Sequence, residues 1–253
     1  MLFMETDSRN KLSAGSYDVN RWLYGGYDKD IITTIYGPAG CGKTNFCMAV
    51  AASVARKGGK IIFIDSEGGF SVERFKQICN TEEWKKALEN VLLLKPTSFS
   101  EQEESFIRLL KEIKSGNQIS LIIIDGMTML YRLEMAEARK DKDMEKLDLI
   151  NSKLAKQMRI LAEISRKMNI PVIATNQIYY DFLSDEDFKK GENKEKTANM
   201  VGGDIMKYWS KCIIELKNVR GKRIAVLRKH RSLPEKEMEF ELINEGIRKK
   251  GWL

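Results

Sequence analysis

Apolar and polar positions along the chain alternate between buried-strand patterns and helical patterns. Ile31 to Tyr36 is β-branched and ends in a glycine turn, and Asn45 to Lys57 follows with apolar residues at a spacing of four. This spacing predicts a helix, so the first unit is a strand, a turn and a helix. Continuous apolar runs, which indicate strands buried on both faces of a parallel sheet, follow at Lys60 to Asp65, Leu121 to Ile124 and Pro171 to Thr175.

Helical patterns lie between these strands, and the last third of the chain changes character. The predicted helices are Ser71 to Ile78, Glu101 to Ser115 and Leu147 to Met168. Three further strands joined by turns are predicted at Cys212 to Lys217, Arg223 to Arg228 and Met238 to Ile243. The order predicts one α/β domain with a mostly parallel central sheet and a C-terminal antiparallel β-meander, after a short N-terminal extension of residues 1–17.

Two stretches show no clear periodicity and are predicted as long loops. They are Gly126 to Lys146 and Ile178 to Val201. Loops of this length in a compact domain usually carry function or are disordered, and the sequence leaves both interpretations open.

Composition excludes several classes of protein. The 253 residues are 43% hydrophobic and 31% charged, which excludes disordered and collagen-like chains. The longest uncharged stretch, Met168 to Tyr180, is shorter than the roughly 20 apolar residues of a membrane-spanning helix. The N-terminus lacks the pattern of a secretory signal, so a cytoplasmic location without membrane contact is expected. The four cysteines are expected to be reduced thiols, because the single histidine, His230, cannot complete a zinc site.

The net charge of +7 is concentrated near the C-terminus. Residues from Glu215 to Leu253 include 11 Lys or Arg and 6 Asp or Glu. A basic C-terminal segment fits a polyanionic partner, but a generally lysine-rich protein would show the same bias. Composition leaves both interpretations open.

The strongest chemical signal is a phosphate-binding loop between the first strand and the first helix. Residues 37–44 read GPAGCGKT and match the pattern G-x-x-x-x-G-K-[ST] in the expected strand–loop–helix context. Backbone N–H groups of such a loop point at a phosphate, the lysine reaches the β- and γ-phosphates, and the threonine binds Mg²⁺. The predicted ATP-binding residues are Gly37, Pro38, Ala39, Gly40, Cys41, Gly42, Lys43 and Thr44.

Three further polar residues end apolar strands and complete a candidate ATPase site. Asp125 follows the second buried strand and is predicted to help Thr44 hold Mg²⁺. Glu67 follows the KIIFID strand. If this strand is a neighbour of the strand that precedes the phosphate loop, Glu67 lies beside that loop, where it could accept a proton from the attacking water. Gln177 ends the PVIATNQ strand and could sense the γ-phosphate. A solvated loop acid and a structural amide are the alternative interpretations of Glu67 and Gln177.

These four positions together resemble the RecA/RadA recombinase family over about Asp18 to Gly246. The resemblance implies a RecA-like phosphate-loop NTPase core. It also implies that Glu67 activates water and that Gln177 senses the γ-phosphate, with Lys43 as the third catalytic residue. The phrases FIDSEGGFSVERF, IIIDGMTMLYR, VGGDIMKYWSK and KHRSLPE resemble most the short archaeal paralogue of this family, which lacks the N-terminal helix-hairpin-helix domain.

The chain also departs from the full-length recombinases. Only about 17 residues precede the core, whereas the recombinases carry a helix-hairpin-helix domain and a linker that docks into the next subunit. The segment Ile178 to Val201, which matches the second DNA-binding loop of the family, contains six acids and four lysines. Stable filaments and strand exchange are therefore not expected, although a homodimer or weak homo-oligomer is compatible with the sequence.

The C-terminal basic residues are the candidate DNA contacts. They are Arg220, Lys222, Arg223, Arg228, Lys229, His230 and Arg231, and they would bind the phosphate backbone without reading sequence. Two alternatives stay open: Lys229 lies near where related ATPases place a residue against a neighbour's nucleotide, and such basic runs are often only a solvated face.

The resemblance implies an ATP- and DNA-binding protein of homologous recombination and repair. Its expected role is to assist the RadA recombinase, with weak ATPase activity, ATP and Mg²⁺ as cofactors, and single- or double-stranded DNA as a ligand. A Holliday-junction resolvase and a replicative polymerase are further implied partners. The alternatives are a KaiC-like ATPase in which hydrolysis drives a process without DNA, and a scaffold whose ATP site is structural.

Overall fold

The computed structural model describes residues 10–180 and 198–251. Its strands are β1 (Lys11–Leu12), β2 (Tyr27–Asp28), β3 (Ile32–Tyr36), β4 (Lys60–Asp65), β5 (Val91–Leu94), β6 (Ile119–Asp125), β7 (Val172–Asn176), β8 (Ile178–Tyr180), β9 (Ala198–Met200), β10 (Ser210–Val219), β11 (Lys222–Lys229), β12 (Lys236–Ile243) and β13 (Gly246–Lys249). Its helices are α1 (Tyr17–Trp22), α2 (Lys43–Ala55), α3 (Val72–Cys79), α4 (Trp84–Leu88), α5 (Phe99–Lys114), α6 (Met129–Lys140), α7 (Met144–Met168) and α8 (Gly203–Trp209).

A nine-stranded sheet forms the centre of the fold. Its strand order is β13-β12-β11-β10-β3-β7-β6-β4-β5. The six strands from β10 to β5 pair in parallel, whereas β10 to β13 pair antiparallel as consecutive neighbours. The predicted α/β class, with a parallel sheet and a C-terminal meander, is confirmed.

The parallel strands bring their carboxyl ends to one edge of the sheet. Tyr36 at the end of β3 is opposite Asn176 at the end of β7, and Asp65 at the end of β4 is opposite Asp125 at the end of β6. In open α/β sheets ligands bind at this edge. The sequence positions singled out as candidate site residues therefore lie along one side of the fold.

Helices cover the two faces of the sheet and bury two apolar clusters. Residues of α1 to α4 pack on one face, around Phe46, Phe63 and Phe75, which are fully buried. Residues of α5 to α8 pack on the other face, around Leu154 and Met158. The strands between the layers are apolar on both faces, which explains why their sequences read as continuous apolar runs.

One predicted loop is wrong. The stretch Gly126 to Lys146 contains helix α6 and the first turn of α7. Its polar residues obscured the helical period, because α6 buries only a narrow set of side chains that includes Leu130, Tyr131 and Met135. The second predicted loop, Ile178 to Val201, begins and ends with the paired strands β8 and β9, and its residues 181–197 lie outside the described part of the chain.

The main helices and strands otherwise agree with prediction to within a few residues. The elements that the sequence did not predict are short, such as α1, or are the outermost strands of the sheet, such as β5 and β13. Among the described residues, no helix has the length and apolar character needed to span a membrane. The four cysteines are buried and free.

Candidate active site

The phosphate loop connects β3 to α2 through a backbone that requires glycine. Gly42 precedes the first helical residue with φ 109°, in the left-handed region where a side chain is strained. Helix α2 therefore begins directly at Lys43, and its free N–H groups face the loop. Phe240 and Leu242 of β12 line the other side of Gly42, so the β-meander supports the loop from below.

The Lys43 side chain folds back over the loop. Only 5% of Lys43 is exposed, and its Nζ donates hydrogen bonds to the carbonyl oxygens of Gly37 at 3.1 Å and Pro38 at 3.0 Å. The Lys43 ammonium thus lies against the first two residues of the loop backbone. This arrangement suits a phosphate, since N–H groups and an ammonium supply only positive potential.

Asp125 is buried at the end of β6 with one oxygen unpaired. Its Oδ1 accepts a hydrogen bond from the Thr175 hydroxyl at 2.6 Å, and Oδ2 has no hydrogen-bond partner among the described atoms. Burial raises the pKa of Asp125 to about 6, although the Thr175 and Thr44 hydroxyls act in the opposite direction. A buried carboxylate oxygen without a partner requires an explanation, and a bound ion is one of them.

The loop after β4 closes over this carboxylate. The Asp65 carboxylate accepts the N–H groups of Gly69 at 3.1 Å and Phe70 at 2.9 Å, which fixes the loop. A Cβ atom at Gly69 would lie 3.0 Å from Thr44 Oγ1 and 3.5 Å from Asp125 Oδ2. Gly69 thus leaves space above a hydroxyl and an unpaired carboxylate oxygen, the hard oxygen donors that suit Mg²⁺. The residues present fit the predicted Mg²⁺ site of Thr44 and Asp125.

Glu67 and Gln177 form a direct contact. Gln177 Nε2 donates a hydrogen bond to Glu67 Oε1 at 3.1 Å, across 110 positions of the chain. Glu67 also packs on Gly126, where a Cβ atom would lie 2.6 Å from Glu67 Cγ. The two side chains predicted to activate water and to sense the γ-phosphate therefore lie together at the carboxyl edge of the sheet.

The strands that carry Glu67 and the phosphate loop are not neighbours. β3 pairs with β10 and β7, and both β6 and β7 separate it from β4. Glu67 reaches the site because its loop passes over Gly126 at the end of β6 and meets Gln177 at the end of β7. The condition under which the sequence placed Glu67 beside the phosphate loop, adjacent strands, is therefore not met.

Behind these side chains, polar residues connect the strand ends to the β8–β9 hairpin. The Gly126 N–H donates to Thr175 Oγ1 at 2.8 Å, and the Thr128 hydroxyl donates to the Asn176 side chain. Asn176 Nδ2 donates in turn to the carbonyl oxygen of Val201 at 2.6 Å. The Val201 N–H then donates to the backbone carbonyl of Gln177 at 3.1 Å.

Thr175 and Asn176 are residues of the candidate site that the sequence did not single out. The signal was present, since a run of polar residues follows the apolar strand in PVIATNQ. Both side chains are fully buried, so their polar groups need partners within the protein. Thr175 finds its partners in Asp125 and Gly126, and Asn176 finds its partners in Thr128 and Val201.

The KHR tripeptide, Lys229 to Arg231, is engaged in internal contacts. Arg231 binds Asp30 through two bonds of 2.6 Å and 2.7 Å and reaches Asp28 at 3.1 Å. His230 is 2% exposed and lies 3.4 Å from Asp28, and burial lowers its pKa. Lys229 Nζ donates to the backbone carbonyl of Lys207 at 2.8 Å.

The remaining candidate DNA contacts surround the β10–β11 hairpin. Arg220 is exposed in the turn, and Lys222 pairs with Glu239 at 3.6 Å. Arg223 is half-buried with its Nε unpaired among the described atoms. Arg228 is held by two glutamates, Glu215 and Glu235. Within the predicted basic set, carboxylates thus compensate Lys222, Arg228 and Arg231, whereas no ion pair with a carboxylate is found for Arg220, Arg223 and Lys229 among the described residues.

Comparison with known proteins places the chain among recombination proteins. A sequence model of the Rad51 family matches residues 7–250. A DNA repair and recombination protein RadB of Methanobrevibacter smithii is 39% identical over 233 residues, covering 90% of this chain and 92% of the relative. Relatives of the same name in Methanocaldococcus jannaschii and Methanosphaera stadtmanae are 36% and 35% identical, covering 89% and 95% of this chain and 96% and 97% of the relatives. From its phosphate loop to its C-terminal meander, the chain belongs to the Rad51 family of RecA-like ATPases, within which it is a member of the RadB branch.

Proposed function

We propose that the chain is an ATP- and DNA-binding protein of homologous recombination and DNA repair in which ATP acts mainly as a conformational ligand. Its relatives carry the name DNA repair and recombination protein. In this proposal the protein assists the RadA recombinase and performs no strand exchange itself. A Holliday-junction resolvase and a replicative polymerase are further proposed partners, and self-association is limited to a homodimer or weak oligomer.

The observation that carries the proposal is the contact between Glu67 and Gln177. The hydrogen bond of 3.1 Å joins the residue proposed to activate water to the residue proposed to sense the γ-phosphate. A water molecule that approaches Glu67 Oε1 must compete with the Gln177 amide. Turnover is therefore expected to be slow, below about 1 s⁻¹, the lower end of typical phosphoryl-transfer rates.

Each residue of the site has a defined task when ATP and Mg²⁺ are bound. ATP supplies the phosphoryl group and the metal offsets its charge. The backbone N–H groups of the phosphate loop and the Lys43 ammonium bind the phosphates, while Thr44 and Asp125 would hold the metal. Glu67 would accept the proton of the attacking water.

Gln177 also connects the site to the hairpin. Its side chain contacts Glu67, while its backbone carbonyl accepts the Val201 N–H at 3.1 Å, so one residue joins both regions. A ligand changes a conformational equilibrium only through contacts that differ between the states. A γ-phosphate that accepts the second N–H of the Gln177 Nε2 amide, while the first stays on Glu67, would supply such a difference, and ADP would not.

The proposal is tested by measuring DNA affinity with each nucleotide. A fluorescent single strand is titrated in the presence of Mg²⁺ with ATP or ADP, using wild-type protein and Gln177→Ala. We expect ATP to strengthen binding of the wild type and to have no such effect on Gln177→Ala at ATP concentrations that saturate the variant. Fast ATP turnover without any DNA binding would contradict the proposal and favour a motor-type ATPase.

A further inference from the structure

Helix α8 ends in an exposed aromatic side chain that is held in a fixed orientation. Tyr208 is 68% exposed, although its ring is large and apolar. The ring of Trp209 meets it edge-on, with centroids 5.2 Å apart and planes at 89°. An exposed aromatic ring that is supported in this way can bind a flat ligand with little loss of conformational freedom.

One lysine ammonium lies beside this ring, and two further lysines lie at the same end of α8. Lys211 Nζ lies 5.4 Å from the centroid of the Tyr208 ring and donates to the Tyr208 carbonyl at 3.0 Å. Lys229 Nζ donates to the carbonyl of Lys207 at 2.8 Å, and the Lys207 side chain is exposed. Two of the lysines thus cap the last carbonyls of the helix, a common structural role. Each capping bond uses one of three ammonium N–H groups, so two remain for another acceptor.

The charges around Tyr208 are not balanced locally. In the described part of the chain, none of Lys207, Lys211 and Lys229 forms an ion pair with a carboxylate. Burial lowers the pKa of Lys229, and the positive charge of Lys211 lowers it further. An anion bound between these ammonium groups would relieve their repulsion.

We propose that Tyr208, Lys207, Lys211 and Lys229 form a platform that binds single-stranded DNA, with a base stacked on Tyr208 and its flanking phosphates on the lysines. This inference rests on the proposed function and names its DNA contact surface. Exposed aromatic rings with adjacent cations are the usual means of binding single strands without sequence preference. A duplex is a poorer ligand, because its bases are already stacked.

The platform is linked to the nucleotide site through the chain. Helix α8 follows Val201 and Gly202 directly, and the Val201 N–H is bonded to the Gln177 carbonyl. A change at Gln177 therefore shifts the start of the helix whose last turn carries Tyr208. This connection explains how ATP would alter DNA affinity although Tyr208 lies outside the ATP site.

Fluorescence anisotropy with oligo-dT in ATP and Mg²⁺ tests the platform. We expect Tyr208→Ala to weaken binding about tenfold, within the range measured for base–aromatic stacking, and Tyr208→Phe to retain it. Tyr17→Ala is the matched control, because Tyr17 is 77% exposed on another helix and should not affect binding. An abasic oligomer should bind wild type and Tyr208→Ala equally, since only the base contacts the ring.

The lysines are tested by the salt dependence of binding. Replacing Lys207 and Lys211 together by Gln should reduce the slope of log affinity against log salt by about 1.4, from two single-strand phosphate contacts at about 0.7 each.

Equal oligo-dT affinities of wild type and Tyr208→Ala would overturn the platform and leave the proposed function intact. The platform would also be overturned if Tyr208→Ala lost ATP affinity but kept DNA affinity, which would assign this surface to the nucleotide of a second copy. Absence of DNA binding by the wild type would refute both.

Discussion

At the scale of single residues, the carboxylate of Asp125 is buried where its negative charge is energetically unfavourable. Its carboxylate is fully buried at the end of β6, and burial raises its pKa from 3.8 to about 6. The folded state therefore binds the Asp125 proton more tightly than the unfolded state does. The associated stability is complete below about pH 4 and is lost as the pH rises through 6.

Asp125→Asn should stabilise the protein at neutral pH when no nucleotide is present. The difference between the two pKa values corresponds to about 3 kcal/mol, which is the upper limit of the gain in the free energy of unfolding at pH 7. Urea denaturation at pH 7 and pH 4 measures the gain, which should vanish at pH 4. The same variant should lose Mg²⁺-dependent ATP binding. A variant less stable than wild type at pH 7 would show that Asp125 is not electrostatically strained.

A second residue-scale prediction concerns Arg231, which the sequence offered as a DNA contact. Asp28 is 4% exposed, and Arg231 and Lys11 are its cationic partners, while the His230 ring lies 3.4 Å away. Arg231→Ala should lower the free energy of unfolding by about 1–3 kcal/mol, because a buried acceptor loses a charged partner. Lys222→Ala is the control: its pair with Glu239 is exposed, so we expect a loss of less than about 1 kcal/mol.

Urea denaturation of both variants gives these values directly. A DNA affinity that falls in Arg231→Ala without any loss of stability would return Arg231 to the DNA interface. Equal destabilisation by the two variants would show that the pair with Asp28 has no special role.

At the scale of elements, the sequence predicted best the strands that are buried on both faces of the sheet. The strands β4, β6 and β7 were found because each is a continuous apolar run between two helical layers. Helix α6 was missed because it is mostly polar and buries few side chains. The edge strand β5 was missed for a related reason, since VLLL is only partly buried and is as short as a turn segment.

In the candidate site, the features that are local in sequence were predictable and those that join distant residues were not. A motif within one loop, GPAGCGKT, needs no long-range information, so its position at the start of α2 was predictable. The contact of Glu67 with Gln177 joins residues 110 positions apart, and strand order decides it. Strand order is not encoded in local periodicity, so the sequence left open whether the strand of Glu67 is a neighbour of β3, and the structure places β7 and β6 between them.

At the scale of the whole molecule, the sites proposed for the chain lie at, or are connected to, the carboxyl ends of the parallel strands. The phosphate loop, the Mg²⁺ donors and the Glu67–Gln177 pair lie where the parallel strands end, and the β8–β9 hairpin leads from there to α8. The C-terminal meander extends the same sheet and supports the loop through Phe240 and Leu242. In the proposed function, nucleotide binding is therefore the event on which DNA affinity and turnover depend.

Isothermal titration calorimetry with ATP and Mg²⁺ tests this claim most directly. The wild type should bind one ATP per chain, and Lys43→Ala, which removes the ammonium over the loop, should bind none that is measurable. Lys57→Ala is the matched control, because this exposed lysine follows the opposite end of α2, and its affinity should equal that of the wild type. A folded wild type that takes up no ATP, or a Lys43→Ala variant that binds as tightly as the wild type, would contradict the account.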